Sequence, residues 1–273
     1  MKTILLHSAN RQIAEQVAKD YNFSCKHLDS HSRFYTNQAI NLDELRDVYQ
    51  LDFNWLPDEF DFESAAIFVS DMDSTLISIE CIDEIADFAN LKPQVAAITE
   101  RAMQGELDFD ASLAERVGLL KGLNVSVLQQ VYDERLKVNP GGESLVQFFK
   151  NRGIVSAVVS GGFTYFTQRL ANDIGLDHNR ANTLDIEQNQ LTGMTKGSIV
   201  NAQAKADFVG ELCQQYGVSF DQVIVAGDGA NDLAMMKVAG LSVAYHAKPS
   251  VLAQANIVLS YSGLDKIIDF FDK

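Results

Sequence analysis

The chain is poor in cysteine. It has three (Cys25, Cys81 and Cys213), an odd number, far apart and without metal-ligand spacing. That argues against a disulfide framework and a thiolate metal site, and all three are expected as reduced thiols. Positive charge is scarce too, with a formal net charge of −15. Nucleic acid and anionic membrane are therefore disfavoured as partners, and an anionic substrate would need a local positive trap. No apolar run approaches the length of a bilayer crossing. The opening "MKTILLHSANRQ" lacks the apolar centre and cleavage signal of a secretory peptide, so the cytoplasm is the expected compartment. Internal repeats and low-complexity tracts are missing as well.

What is there suits a packed core: 47% of residues are hydrophobic and 22% charged. A length of 273 residues fits one large domain or a main domain with a small companion. From Ala65 onward, short apolar runs (Ala65 to Val69, Ile154 to Val159, Val223 to Ala226, then "LSVAY" and "NIVLS") alternate with helical stretches such as "GESLVQFFKNRG" and "AQAKADFVGELCQQYG". Apolar strands without polar alternation predict a parallel sheet covered on both faces. Alternation with helices predicts an α/β fold with a doubly wound, Rossmann-like sheet. Ligands of such sheets lie beyond the carboxyl ends of the strands. Asp71, Ser160 and Asp228 fall there.

Between the first and second of these strands, Ile82, Ile85, Ala86 and Ala89 repeat at helical spacing, as do Leu113, Val117 and Leu120. A helical cap over 80–138, inserted into a core of 64–79 and 139–273, is the expectation. The polar stretch "NTLDIEQNQLTGMTKG" reads as a β-hairpin turning near Glu187 to Gln190. Residues 1–63 read as a small N-terminal α+β segment, with a strand "TILLH", helices "NRQIAEQVAKDY" and "LDELRDVYQ", and a proline-marked linker over Asn54 to Glu63. No spacing there suggests chemistry, so a packing or dimerisation role is expected.

Four elements could carry chemistry. Asp71-Met72-Asp73-Ser74-Thr75 follows a buried strand and reads either as a functional pair of carboxylates or as a turn with a helix cap. "VVSGGF" places Ser160, Gly161 and Gly162 before a helix, where free amides suit a phosphate; an ordinary strand–helix turn has the same pattern. Lys205, near a helix start, reads by itself as a surface charge. "VAGDGANDLAMM" adds Asp228, Asn231 and Asp232 after a third strand. Acids gathered from separate strand ends are best explained by a cation between them, and all-oxygen ligands favour Mg²⁺ over zinc.

This order, D-x-D-x-T, then Ser, Lys and G-D-x-x-x-D, resembles the haloacid dehalogenase-like phosphohydrolases. Within them the chain is most similar to the phosphoserine phosphatase family, through "DMDSTLISIECIDEIA", "ITERAMQGELDFDASLAERVGLLKG", "VVSGGF" and "AGDGANDLAMMKVAGLSVAYHAKP". The likeness runs from about Ile67 to the C-terminus. Met72 stands where phenylalanine is common. The resemblance implies a Mg²⁺-dependent hydrolysis of O-phospho-L-serine, the last step of serine biosynthesis, through an aspartyl-phosphate. It implies Asp71 as nucleophile and Asp73 as proton donor and acceptor. It assigns the metal to Asp71, the Asp73 carbonyl and Asp228, with Asp232 close by. It gives Ser160, Gly161, Lys205 and Asn231 to the phosphate, Glu80 to the ammonium, Arg116 to the carboxylate, and Met103 and Phe109 to the pocket wall. A homodimer is expected for such an enzyme. Two rivals stand beside this reading: a superfamily member acting on another small phosphometabolite or acceptor, and a silent phosphate-binding regulator.

Overall fold

A computed structural model describes residues 1–272. The N-terminal segment is β1 (Lys2–Leu6), α1 (Arg11–Tyr21), β2 (Ser24–His27), β3 (Ser32–Thr36), α2 (Leu42–Tyr49) and β4 (Phe53–Trp55). Its four strands form an antiparallel sheet in the order β2-β3-β1-β4, the ferredoxin-like βαββαβ arrangement. Asn10 caps α1 by accepting from the Gln12 and Ile13 amides, and Ala14 and Val17 turn its apolar stripe onto Ile4, Leu6 and Phe34.

The core sheet begins with β5 (Ile67–Ser70), all four residues buried. Helices α3 (Cys81–Phe88), α4 (Lys92–Met103), α5 (Phe109–Leu119) and α6 (Ser126–Glu134) follow before α7 (Gly142–Asn151) returns the chain to the sheet. Then come β6 (Val155–Phe163), α8 (Thr164–Ile174), the hairpin of β7 (His178–Glu187) and β8 (Gln190–Lys196), α9 (Ala202–Tyr216), β9 (Val223–Gly227), α10 (Leu233–Val238), β10 (Leu241–Tyr245), α11 (Pro249–Leu252) and β11 (Ile257–Leu259). The seven strands lie in the order β11-β10-β9-β5-β6-β7-β8. All neighbours are parallel except β7 and β8. Strand alternation explains the apolar run of β5: Phe68 enters one core layer with Phe149 and Phe166, while Ile67 and Val69 enter the other with Phe208 and Val209. Connections leave β5 and β9 toward opposite edges, so a crevice opens between their carboxyl ends.

Residues 54–63 are not a plain linker. Fully buried β11 lies at the sheet edge, and Asn54 satisfies it as a strand would: Asn54 Nδ2 donates to Val258 O (2.9 Å) and Val258 N donates to Asn54 Oδ1 (2.8 Å). Asp52 accepts from the consecutive amides of Ser260, Tyr261 and Ser262. Phe60 and Phe62 pack together, and Phe62 stacks on Phe270. Local polarity suggested a solvated tether because the partners of these groups lie about two hundred residues away. Among the described residues, no helix is long and apolar enough to cross a membrane.

Candidate active site

Asp71 directly follows β5, and its amide still donates to Ala226 O of β9. The chain then turns over Met72–Leu76, closed by the Ile77 amide on Met72 O and with Asp73 and Ser74 in non-helical conformations, which carries Asp73 and Thr75 back over the strand ends. β9 ends at Gly227 and delivers Asp228. One short turn later Asp232 is buried beneath it, both its oxygens occupied: Oδ1 by Lys205 Nζ (2.7 Å), Oδ2 by the Asp228 and Gly229 amides (3.1 Å each). Oxygens of Asp71, Asp228 and Asp232 lie within 4.8 Å of one another.

Lys205 is not a surface charge. It is 1% exposed, with Nζ 2.7 Å from Asp71 Oδ1 and 2.7 Å from Asp232 Oδ1. Burial opposes its charge, but Asp232 and Asp71 together hold it protonated. Burial and then the charge of Asp232 push Asp71 well above the usual carboxylate range, against the pull of Lys205. Burial and Asp232 likewise push Asp228 up to about 6, despite a hydrogen bond from Thr75 Oγ1. Three carboxylates thus face one buried ammonium, leaving two negative charges, the charge of one divalent cation. An all-oxygen donor set suits a hard cation.

The carboxylate of Asp73 faces away from that cluster. Its Oδ1 accepts from the Cys81 amide (2.7 Å), capping α3, and its Oδ2 accepts from Ser160 Oγ (2.8 Å). β6 extends through Gly161 and Gly162 to Phe163, bulging against β7 between Val159 and Phe163, so the helix begins only at Thr164 and not at Ser160. A methyl group at Gly161 would lie 2.8 Å from Phe109 Cζ, and one at Gly162 would lie 2.7 Å from Asp73 Oδ2. The absent side chains let α5 and the Met72–Leu76 turn close on the strand end. Asn182 braces this loop by donating to Gly161 O and accepting from Val200 N, 2.8 Å each.

Above the strand ends lies a cavity of about 290 Å³. Asp71, Asp73, Ser160, Gly161, Asp228 and Asn231 form its floor, while Glu80, Phe109 and Arg116 come down from the helices. Lys205 and Asp232 lie beneath the floor. Met103 ends α4, and its side chain is outside the described residues. Arg116 is half-buried; burial lowers its pKa, while Asp83, Glu80 and Asp73 oppose this. Glu80 is exposed at the rim, yet withdrawal into the cavity mouth and the nearby Asp73 push its carboxyl up to about 7. Two charged lining residues were not anticipated: Asp83, one helical turn after Glu80, and Lys248, just past β10. Lys248 could have been found by the strand-end rule that found Asp228.

The haloacid dehalogenase-like hydrolase family model matches residues 65–240. A phosphoserine phosphatase of Polaromonas is 50% identical over 204 residues, 73% of this chain and 86% of that protein. A crystal structure of a HAD family hydrolase from Salmonella enterica serovar Typhi is 32% identical with a TM-score of 0.89, covering 99% of this chain and 98% of its own. A phospho-aspartyl intermediate analogue of phosphoserine phosphatase is 36% identical with a TM-score of 0.70, covering 75% of this chain and 98% of its own. The chain belongs to the haloacid dehalogenase-like hydrolases and, within them, to the phosphoserine phosphatase family.

Proposed function

We propose that the chain hydrolyses O-phospho-L-serine to L-serine and phosphate. One observation carries this reading: a single cavity has on its floor Asp71 and Asp228 of a metal-ready acid cluster, backed by the buried Lys205, and is lined as well by the carboxylate of Glu80 and the guanidinium of Arg116. The first pair of features suits a phosphoryl group; the second suits the ammonium and carboxylate of an amino acid.

Asp71, Asp228 and the Asp73 carbonyl would hold Mg²⁺, with Asp232 behind them. The bound ion would offset charge on the phosphoryl oxygens. Lys205 keeps the Asp71 carboxylate oriented at 2.7 Å, leaving its second oxygen free to attack phosphorus. As the Asp71–phosphorus bond forms, the bond to the seryl oxygen breaks, and Asp73 delivers a proton to that oxygen. In the second half, Asp73 takes a proton from water, which attacks phosphorus and releases Asp71. Ser160 Oγ must exchange Asp73 for a phosphoryl oxygen, freeing Asp73 for this work. Phe109, packed on Gly161, closes the cavity against water.

Phosphate release from L-phosphoserine, O-phosphothreonine, glucose 6-phosphate and an aryl phosphate, with Mg²⁺ or EDTA, tests the reading. Preference for phosphoserine and loss of release in EDTA are expected. A preference for the sugar phosphate would transfer the chain to another substrate, and no release at all would make it a binding protein.

A further inference from the structure

Ser74 has a backbone conformation that its side chain does not favour. Its φ of 58° and ψ of −4° lie in the left-handed region, where glycine or asparagine is the usual occupant. Glycine there would ease the backbone but remove the CH2OH group, hydroxyl included. That hydroxyl is committed: Ser74 Oγ donates to Glu80 Oε1 at 2.7 Å. Glu80 occupies the N-cap position of α3 with no side-chain cap hydrogen bond, while the Cys81 amide beside it donates to Asp73 Oδ1. Among the described residues, Ser74 supplies the one hydrogen bond that the Glu80 carboxylate accepts. The Ser74 amide also donates to Ile79 O (3.2 Å), so backbone and side chain both tie the nucleophile turn to the start of the cap.

We infer that Ser74 is a positioning residue for amine recognition, fixing the Glu80 carboxylate over the cavity at the level of the substrate ammonium. Glu80 is an exposed side chain at an acidic rim, repelled by Asp73 and Asp228. Untethered, it would turn toward water, and an ammonium-bearing substrate would have to order it on binding. The hydrogen bond holds it inward beforehand. The inference rests on the phosphoserine reading and deepens it: discrimination for an amino-acid phosphate begins inside the motif that carries the nucleophile.

The test compares Ser74→Ala, which keeps the backbone strain, with Ser74→Gly, which relieves it, each in wild-type and Glu80→Ala backgrounds. The readout is the ratio of kcat/KM for phosphoserine to that for p-nitrophenyl phosphate, which has no amine. Loss of one charge-assisted hydrogen bond is expected to lower the ratio about tenfold, equally in both Ser74 variants. In the Glu80→Ala background, replacing Ser74 should lower it no further. An unchanged ratio in the Ser74 variants, with a lowered one in Glu80→Ala, would overturn the role of Ser74 and leave that of Glu80 standing. A fall that persists in the Glu80→Ala background would also overturn it. An unchanged ratio in Glu80→Ala would overturn the ammonium assignment and this inference together.

Discussion

At the seam between the N-terminal sheet and the core, Asp52 is wholly buried and accepts from three consecutive amides. Nearby, burial would raise the Asp269 carboxyl, but hydrogen bonds from His31 and His7 hold it well below the usual range. At the ends of β5 and β9, Asp71 is buried and Asp228 half-buried, but both are crowded by Asp232 and pushed upward. Both regions put carboxylates into the interior. In the seam Asp52 and Asp269 both have fixed donors and serve as clamps. At the strand ends the donors fall short by two charges, and folding leaves that deficit for something that binds.

The contrast is tested hardest by changing one acid from each region. Asp71→Asn is expected to reduce turnover by at least about 10⁴-fold. It should leave the melting temperature unchanged or raised, because it removes a crowded charge. A destabilised yet active variant would reverse the assignment. Next in size, Arg116→Ala is expected to cost about 2–5 kcal/mol in kcat/KM with phosphoserine. It should cost much less with an aryl phosphate, and equal losses on both would remove Arg116 from recognition. Asp52→Ala is expected to behave in the opposite way to Asp71→Asn. Stranding the Ser260, Tyr261 and Ser262 amides should cost about 3 kcal/mol of stability in a denaturant titration, while kcat stays unchanged. A stable Asp52→Ala protein would mean the seam is not a clamp.

The smallest effect is one of pH. In metal-free protein the raised values of Asp71 and Asp228 favour their protonated forms in the folded chain. The stability this gives is complete below the ordinary carboxylate value and is lost as pH rises through about 6 for Asp228. Asp269, held low, gives its full contribution throughout that window. Metal-free protein is therefore expected to lose about 1–2 kcal/mol between pH 4.5 and pH 7, and Mg²⁺ at pH 7 to restore it. Stability rising over this range without Mg²⁺ would show that the cluster carries no excess charge.

Legibility in the sequence follows the same division. β5, β6, β9 and β10 stood out because both their faces are covered, and a continuous apolar run marks this. The strands of the N-terminal sheet were harder to read. In β3, Ser32, Arg33 and Thr36 are buried although polar, and β4 has only three residues. Their environment comes from the core docked against them, which no local window contains. The acids of the site were legible through their positions at strand ends. The burial of Lys205 was not, because its partners Asp71 and Asp232 come from distant parts of the chain. Ser74 was legible only as a possible helix cap, because a left-handed serine has no signature in composition or period.

The most direct measurement is a rapid acid quench of the chain turning over phosphate-labelled phosphoserine in Mg²⁺, followed by peptide mapping. Label on Asp71 is expected, absent in EDTA and in Asp71→Asn. Label on another residue, or sustained turnover with no phosphate bound to protein, would contradict an attack by Asp71 on phosphorus.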